Sequence, residues 1–305
     1  MSRRVEFSQF GEPDVLTLVE VEPPHPGAGE VRVKVEAVGI NPFDAKIFRG
    51  KQTSTPHSIE LPSGIASDFA GVVDELGEGV SEIELGDAVF GSRAFNAAAD
   101  FVIIAADRVS PTPDGLPVEQ AGSLDTAGRT AWASTGSLGL GADDVVLVTA
   151  AAGGVGSLAV QLARRTGATV IGSASVDNHD FLRSLGVIPV EYGAGMVEAV
   201  RAVAPGGITA ALDNHGNGSV EAALELGAPA SRINTIADYA APAAHGVGSV
   251  GASGASINDI RELAQMVADS EIVQPIDSLF PIERVSDAYA RLLAGHVRGK
   301  IVLLT

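Results

Sequence analysis

An α/β protein, with a β-rich barrel-like first part and a doubly wound parallel sheet after it, is predicted by three observations. Residues 148–156 read VTAAAGGVG, a glycine turn between an apolar β-branched run and a segment of helical periodicity. Short strand patterns broken by Gly and Pro fill residues 4–108, and beyond about residue 118 strand and helix alternate. The 305-residue length suits two domains, each able to bury a core of its own.

The elements follow in order. Val31, Val33 and Val35 alternate with Arg32, Lys34 and Glu36, so one face of that strand is expected to be buried and the other wet. Residues 71–76, 87–90 and 100–105 give further short strands, and the Pro-rich 111–117 reads as a connector. Strand 145–149 enters the glycine turn, and the helix after it, 157–165, carries Leu158 and Leu162 on one face with Arg164 and Arg165 off it. Strand 169–172, a helix near 179–185 stopped by Gly186, and strands 187–190, 208–212 and 233–236 continue the alternation. Residues 240–256, rich in Ala, Gly and Ser and poor in large apolar side chains, are expected to form a mobile loop, either beside a site or as an inert linker. Ile257, Ile260, Leu263, Ala264 and Val267 mark another helix; an extended segment, a helix through 288–293 and a strand at 301–304 end the chain.

Composition narrows the function classes. A formal charge of −18 argues against a nonspecific nucleic-acid binder and against an anionic membrane surface, both of which need a positive field. No apolar stretch approaches the ~20 residues that span a bilayer, and Met1-Ser2-Arg3-Arg4 leads straight into a short amphipathic strand, so a soluble, cytoplasmic protein is expected. With no cysteine in the chain, disulfides, thiol catalysis and cysteine-ligated zinc are excluded.

The glycine turn has the shape of a dinucleotide-binding crossover. Gly153 lets backbone approach a pyrophosphate, the first-turn amides of Gly154 and Val155 point at the negative charge, and Gly156 lets the helix pack closely on the strand. Ala151 stands at the first glycine of G-x-G-x-x-G, and a purely structural strand-to-helix corner is the alternative reading.

Ordered motifs extend along nearly the whole chain: VEAVGINPFDAKIFRG at 35–50, SDFAGVVDELGEGV at 67–80, GDAVFG at 86–91, TAGRTAW at 126–132, AAAGGVG at 150–156 and GHVRGKIVL at 295–303. By these the chain resembles the medium-chain dehydrogenase/reductase superfamily, and within it the zinc-independent quinone oxidoreductase group that includes ζ-crystallin. The resemblance implies a GroES-like catalytic domain at 1–118, a Rossmann domain at 119–270 and a C-terminal return to the catalytic domain at 271–305. Zinc-dependent members carry a cysteine and a histidine where this chain has Asn41 and Ser67, so the implied chemistry is hydride delivery from NADPH to a quinone or an α,β-unsaturated carbonyl without a metal. An NADH-preferring reductase, a nicotinamide-binding redox sensor and a crystallin-like protein with little turnover are the rival readings. A homodimer is expected, with 233–236 as a candidate edge strand.

The same resemblance assigns residues. Asn41 faces the nicotinamide or the substrate, unless it only opens a turn before Pro42; Asp44 reads as a cap for the helix that follows. Lys46 and Gln52 fall where several quinone reductases carry tyrosines, and His57 lies in the same loop. Ser173 takes the place of the acidic residue that NAD enzymes use for the ribose 2′-hydroxyl, which favours NADPH; Asp177 weakens that preference, and His179 is the nearest basic group or else a helix-surface residue. Tyr192 packs against the adenosine end. Thr130 lies near the phosphates or caps a helix, Asn214 touches the nicotinamide half beside a turn residue, Asp213, and Arg298 and Lys300 reach the pyrophosphate or are simply solvated.

Overall fold

The computed structural model describes residues 1–51 and 59–305, so the readings of Gln52 and His57 lie outside the described residues. Two compact units are present: Met1–Thr126 with Arg261–Glu271 and Pro275–Thr305, and Ala127–Ile260 with Ile272–Gln274. In chain order come β1 (Ser2–Phe7), β2 (Thr17–Val21), β3 (Glu30–Ile40), α1 (Pro42–Phe48), β4 (Ser63–Gly64), β5 (Asp68–Leu76), β6 (Ala88–Ser92), β7 (Phe101–Ala105), β8 (Val109–Pro111), α2 (Val118–Ala121) and α3 (Asp125–Gly136). Then follow β9 (Val145–Val148), α4 (Gly154–Arg165), β10 (Thr169–Ala174), α5 (His179–Ser184), β11 (Ile188–Glu191), α6 (Met196–Val203), β12 (Ala210–Asp213), α7 (Ser219–Glu225), β13 (Ile233–Thr235), α8 (Ala241–His245) and α9 (Ile257–Ala268). The chain ends in β14 (Ile276–Pro281), α10 (Val285–Leu293) and β15 (Lys300–Leu304). Among the described residues no helix is long and apolar enough to cross a membrane.

In the first unit β3 is the spine. Its first half alternates as the sequence predicts, with Val31, Val33 and Val35 buried and Lys34 and Glu36 exposed. From Ala37 to Ile40 every residue is buried, and the alternation stops. The cause is a second layer: the Gly39 N–H donates to Gly122 O at 2.7 Å, and a Cβ at Gly39 would stand 2.5 Å from Ser123 Cα. Only glycine permits that approach.

The larger sheet runs β14-β15-β3-β5-β6-β8, with β7 also paired to the first half of β3. β15 and β5 both lie antiparallel to β3, on opposite sides of its second half, in the registers Ile301↔Ile40 and Asp68↔Gly39. The first residues of β15 and β5 therefore meet at the end of β3, where Asn41 follows. Phe7, Phe48, Phe69 and Tyr289 anchor the apolar core of this unit, together with the valines of β3.

The second unit is a five-stranded parallel sheet of order β11-β10-β9-β12-β13. From β9 the chain winds outward to β10 and β11, then crosses back to β12 and β13. That reversal puts the carboxyl ends of β9 and β12 at the crevice where such sheets bind ligands. α4 buries Leu158, Ala159, Val160 and Ala163, and its last-turn Arg164 and Arg165 suit the negative end of the helix dipole.

One expectation changes. Residues 240–256 are not a bare loop: they hold α8, capped by Asp238 Oδ1 accepting from the N–H groups of Ala240 (3.0 Å) and Ala241 (3.1 Å), with Ala241 and Val247 buried. Buried Asn234 clamps the segment, its Nδ2 donating to Val250 O (3.0 Å) and its Oδ1 accepting from Val250 N–H (2.6 Å). Small residues were read as absence of packing, whereas here they let backbone come close. β13 lies at a sheet edge, as the sequence suggests, and two of its outward backbone groups are taken: the Thr235 N–H donates to Gly248 O (2.9 Å) and the Gly248 N–H donates to Ile233 O (2.8 Å).

Asn234→Ala is expected to leave both Val250 backbone groups without their partners and to destabilise the fold by about 1–3 kcal/mol. Denaturant titration reads the loss, and faster hydrogen exchange at the Val250 amide localises it.

Candidate functional site

In the first unit the candidate site is a buried polar cluster at the end of β3. Asn41 is the extended residue that precedes α1, with Pro42 in the first helical position, where its missing N–H costs nothing. Asp44 is not a cap for a later helix. It is the third residue of α1 and reaches back, its Oδ2 accepting from the Asn41 N–H at 2.7 Å. The Asn41 side chain has further partners: Nδ2 donates to Asp68 Oδ2 at 2.9 Å, and Oδ1 accepts from Lys300 Nζ.

Lys300 opens β15 and Asp68 opens β5, so the strand pairing described above delivers both to Asn41. The Lys300 ammonium is 3% exposed, donates also to Ile40 O at 3.0 Å and lies 3.7 Å from Asp68 Oδ2. The sequence offers Lys300 either a pyrophosphate contact or a solvated position; the side chain turns inward to a buried counter-charge. Asp68 Oδ1 accepts from the Thr126 N–H at 3.0 Å and from the Thr126 hydroxyl. Asp44 in turn accepts from Tyr289 OH at 3.2 Å, and the Tyr289 ring packs edge-on against Phe48, so α10 holds α1 in place.

Three charges meet here away from water. Burial pushes the Asp44 carboxyl up to about 7; Asp68 adds to the rise, while the Asn41 N–H, Lys300 and Tyr289 oppose it. Burial also lowers the Lys300 ammonium, against the pull of Asp68 and Asp44, and raises the Tyr289 phenol. Asp44 Oδ1 is buried with no hydrogen-bond partner among the described residues, as fits a carboxyl that keeps a proton near neutrality.

In the second unit the glycine turn sits between β9 and α4. Ala150 carries the positive φ of the turn, +47°, and the Ala151 N–H donates to Ser173 O at 2.9 Å. The glycines divide their work. A Cβ on Gly156 would lie 2.1 Å from Ala150 O, so its bareness is required by helix-on-strand packing. A Cβ on Gly153 would meet only Ala150 O, at 3.3 Å, a tight approach but a weaker demand than the one at Gly156. Gly153, Gly154 and Val155 are partly exposed, and the first-turn N–H groups of α4 have no intrahelical acceptor. Ala151 is tolerated where the pattern has glycine because Gly172 lies against it, where an added Cβ would stand 2.8 Å from the Ala151 Cβ.

Around the turn, Asp213 is a turn residue, as expected, and a strut as well. Its Oδ1 accepts from the Thr149 hydroxyl (3.0 Å) and from the N–H groups of His215 (3.0 Å) and Gly216 (2.8 Å), and its Oδ2 accepts from the Thr235 hydroxyl (2.7 Å). Asn214 binds the same strand end, its N–H donating to Thr149 Oγ1 (2.9 Å) and its Nδ2 to Thr149 O (3.1 Å). Ser173 is not at the mouth of the sheet: β10 runs on to Ala174 and Ser173 is buried. Beyond it come half-buried Ser175, exposed Asp177, and His179, whose Nε2 is buried without a hydrogen-bond partner among the described residues. Tyr192 is exposed, with its ring 6.4 Å from that of His215, a neighbour that sequence reasoning missed. Thr130 lies inside α3 and so caps nothing.

Two outcomes follow for stability. Gly156→Ala is expected to cost about 1–3 kcal/mol through overpacking while Gly153→Ala stays well below that, as denaturant midpoints will show. Asp44 keeps a proton in the folded state that the unfolded chain loses above about pH 4, so its contribution makes stability fall as pH rises through about 7. Asp44→Asn is expected to remove that slope, so that between about pH 5 and about pH 8 the variant gains on the parent in denaturant titrations.

Comparison with known proteins accords with this geometry. The alcohol dehydrogenase GroES-like domain family matches residues 27–114, and the zinc-binding dehydrogenase family matches residues 186–303. A quinone oxidoreductase of Pseudomonas aeruginosa is 33% identical over 177 residues, 57% of this chain; the match spans 53% of that protein, about half its length. A chloroplast envelope quinone oxidoreductase homolog of Arabidopsis thaliana is 30% identical over 310 residues, covering 94% of this chain and 93% of that protein. Among solved structures, the quinone oxidoreductase of Coxiella burnetii aligns over 100% of this chain and 99% of its own, with a TM-score of 0.89 and 31% identity. The Escherichia coli quinone oxidoreductase complexed with NADPH aligns over 99% and 100%, with a TM-score of 0.88 and 25% identity. With its strand-turn-helix crossover, its β3 spine and a relative that matches it almost end to end, the chain belongs to the medium-chain dehydrogenase/reductase superfamily, where it groups with the quinone oxidoreductases.

Proposed function

We propose that the chain is a zinc-independent reductase that uses NADPH to reduce a quinone or an α,β-unsaturated carbonyl. The observation that carries this reading is the glycine turn itself: packing demands glycine at Gly156, while at Gly153 an added Cβ would meet only Ala150 O, at 3.3 Å, beside the first-turn amides of α4. That cradle fits a pyrophosphate. Gly153, Gly154, Val155 and Gly156 would hold it, with Thr130, Asn214 and Tyr192 as further contacts and the Escherichia coli relative's NADPH complex in support.

At the adenosine end, Ser173, with Ser175 and His179 beyond the end of β10, would meet the ribose 2′-phosphate. When bound, NADPH supplies a hydride. The protein's part is to orient the acceptor and keep water out. Asn41 serves as a donor to the nicotinamide amide or the acceptor carbonyl, and with no tyrosine at Lys46 the proton comes from solvent. Cysteine is absent and Asn41 and Ser67 stand at the metal-ligand positions of zinc-dependent relatives, so a conjugated acceptor, which spreads incoming charge by itself, suits this site better than a simple ketone.

The test is consumption of NADPH and of NADH with a panel of quinones and enones after exhaustive chelation. Turnover that survives chelation and prefers NADPH is expected. Zinc lost together with activity would overturn the metal-free reading, and tight NADPH binding without turnover on any acceptor would favour a redox sensor.

A further inference from the structure

We propose that Lys300 is a positioning residue, which together with Asp68 locks the Asn41 carboxamide in one of its two flips and reserves one amide hydrogen for the reaction. This deepens the reading of Asn41 given above and rests on it.

The chemistry of the partners forces the orientation. An ammonium has only donors, so the Asn41 oxygen must face Lys300; a carboxylate only accepts, so the Asn41 nitrogen must face Asp68. Reversing the amide would set N–H against N–H and oxygen against oxygen. The nitrogen has two hydrogens, and Asp68 takes one. The second is committed to no partner among the described residues of the first unit, and the positive charge on the carbonyl side polarises the amide and makes that hydrogen a better donor.

A phosphate contact for Lys300 fits the geometry less well. The ammonium already addresses Ile40 O, Asn41 Oδ1 and, at 3.7 Å, Asp68 Oδ2, and it is almost wholly buried. To reach a pyrophosphate it would have to leave Asp68 as an uncompensated buried charge. Asp44 and Tyr289 do not compete for the amide, because their contact is with each other and with the Asn41 backbone N–H.

Lys300→Met alone strands Asp68 and risks the fold, so the informative variant is the charge-neutral pair Asp68→Asn/Lys300→Met, set beside Asn41→Ala. The neutral pair is expected to fold, to bind NADPH within about twofold of the parent by calorimetry, and to lose about tenfold or more in kcat at saturating NADPH. Adding Asn41→Ala to it should cost nothing further, since the two changes disable one group. A readout independent of turnover is the Asn41 side-chain amide in ¹⁵N spectra: slow exchange in the parent, fast exchange in the neutral pair. Weakened NADPH binding with kcat preserved would make Lys300 a phosphate ligand and overturn the proposal. So would fast exchange of that amide in the parent, a measurement that needs no altered clamp. Parental kcat in Asn41→Ala would remove the reading beneath the proposal, whereas parental kcat in the neutral pair beside a failing Asn41→Ala overturns the proposal alone.

Discussion

Lys300 and Asp68 hold opposite charges in an interior that neither can leave alone, and much of the first unit is arranged around that fact. Each opens a strand beside β3, so the pairing of β15 and β5 with the spine is also what brings the charges together. Desolvating both is costly, and their attraction alone offsets it poorly. The remaining partners are therefore part of the arrangement: Ile40 O and Asn41 Oδ1 for the ammonium, Asn41 Nδ2 and the Thr126 N–H and hydroxyl for the carboxylate. Asp44 would add a further negative charge, and burial, with Asp68 adding to it, pushes that carboxyl up to about 7.

The second unit solves a related problem with one carboxylate and neutral donors. The carboxyl ends of β9, β12 and β13 are tied by one aspartate, Asp213, through the hydroxyls of Thr149 and Thr235. Loops at that end of the sheet are thus anchored at their roots, which suits a crevice whose shape must be fixed before a ligand arrives.

The fold was largely legible in the sequence because both sheets follow simple periods. Val31, Val33 and Val35 announce a half-buried strand, and Leu158 with its neighbours announces a helix on a strand. The glycine turn was legible too. What escaped was contact between segments distant in sequence. Asp68 and Lys300 each begin an apolar run, the one available hint that a charge is buried, but nothing local says that they meet at Asn41. Ser173 was placed one step too near the mouth of the sheet because strand ends are poorly marked, and β10 runs on to Ala174. Residues 240–256 misled in the opposite sense: composition reports the size of side chains, not the Asn234 clamp that orders the backbone.

The Gly248 strap along β13 has a further consequence, for how copies of this chain meet. Where Gly248 already pairs with the Thr235 N–H and Ile233 O, those two groups offer no template for another strand. Any two copies of the chain carry a formal charge of −18 each, so like charge opposes their approach. Association of that kind tightens as salt rises, the reverse of what complementary charges would give.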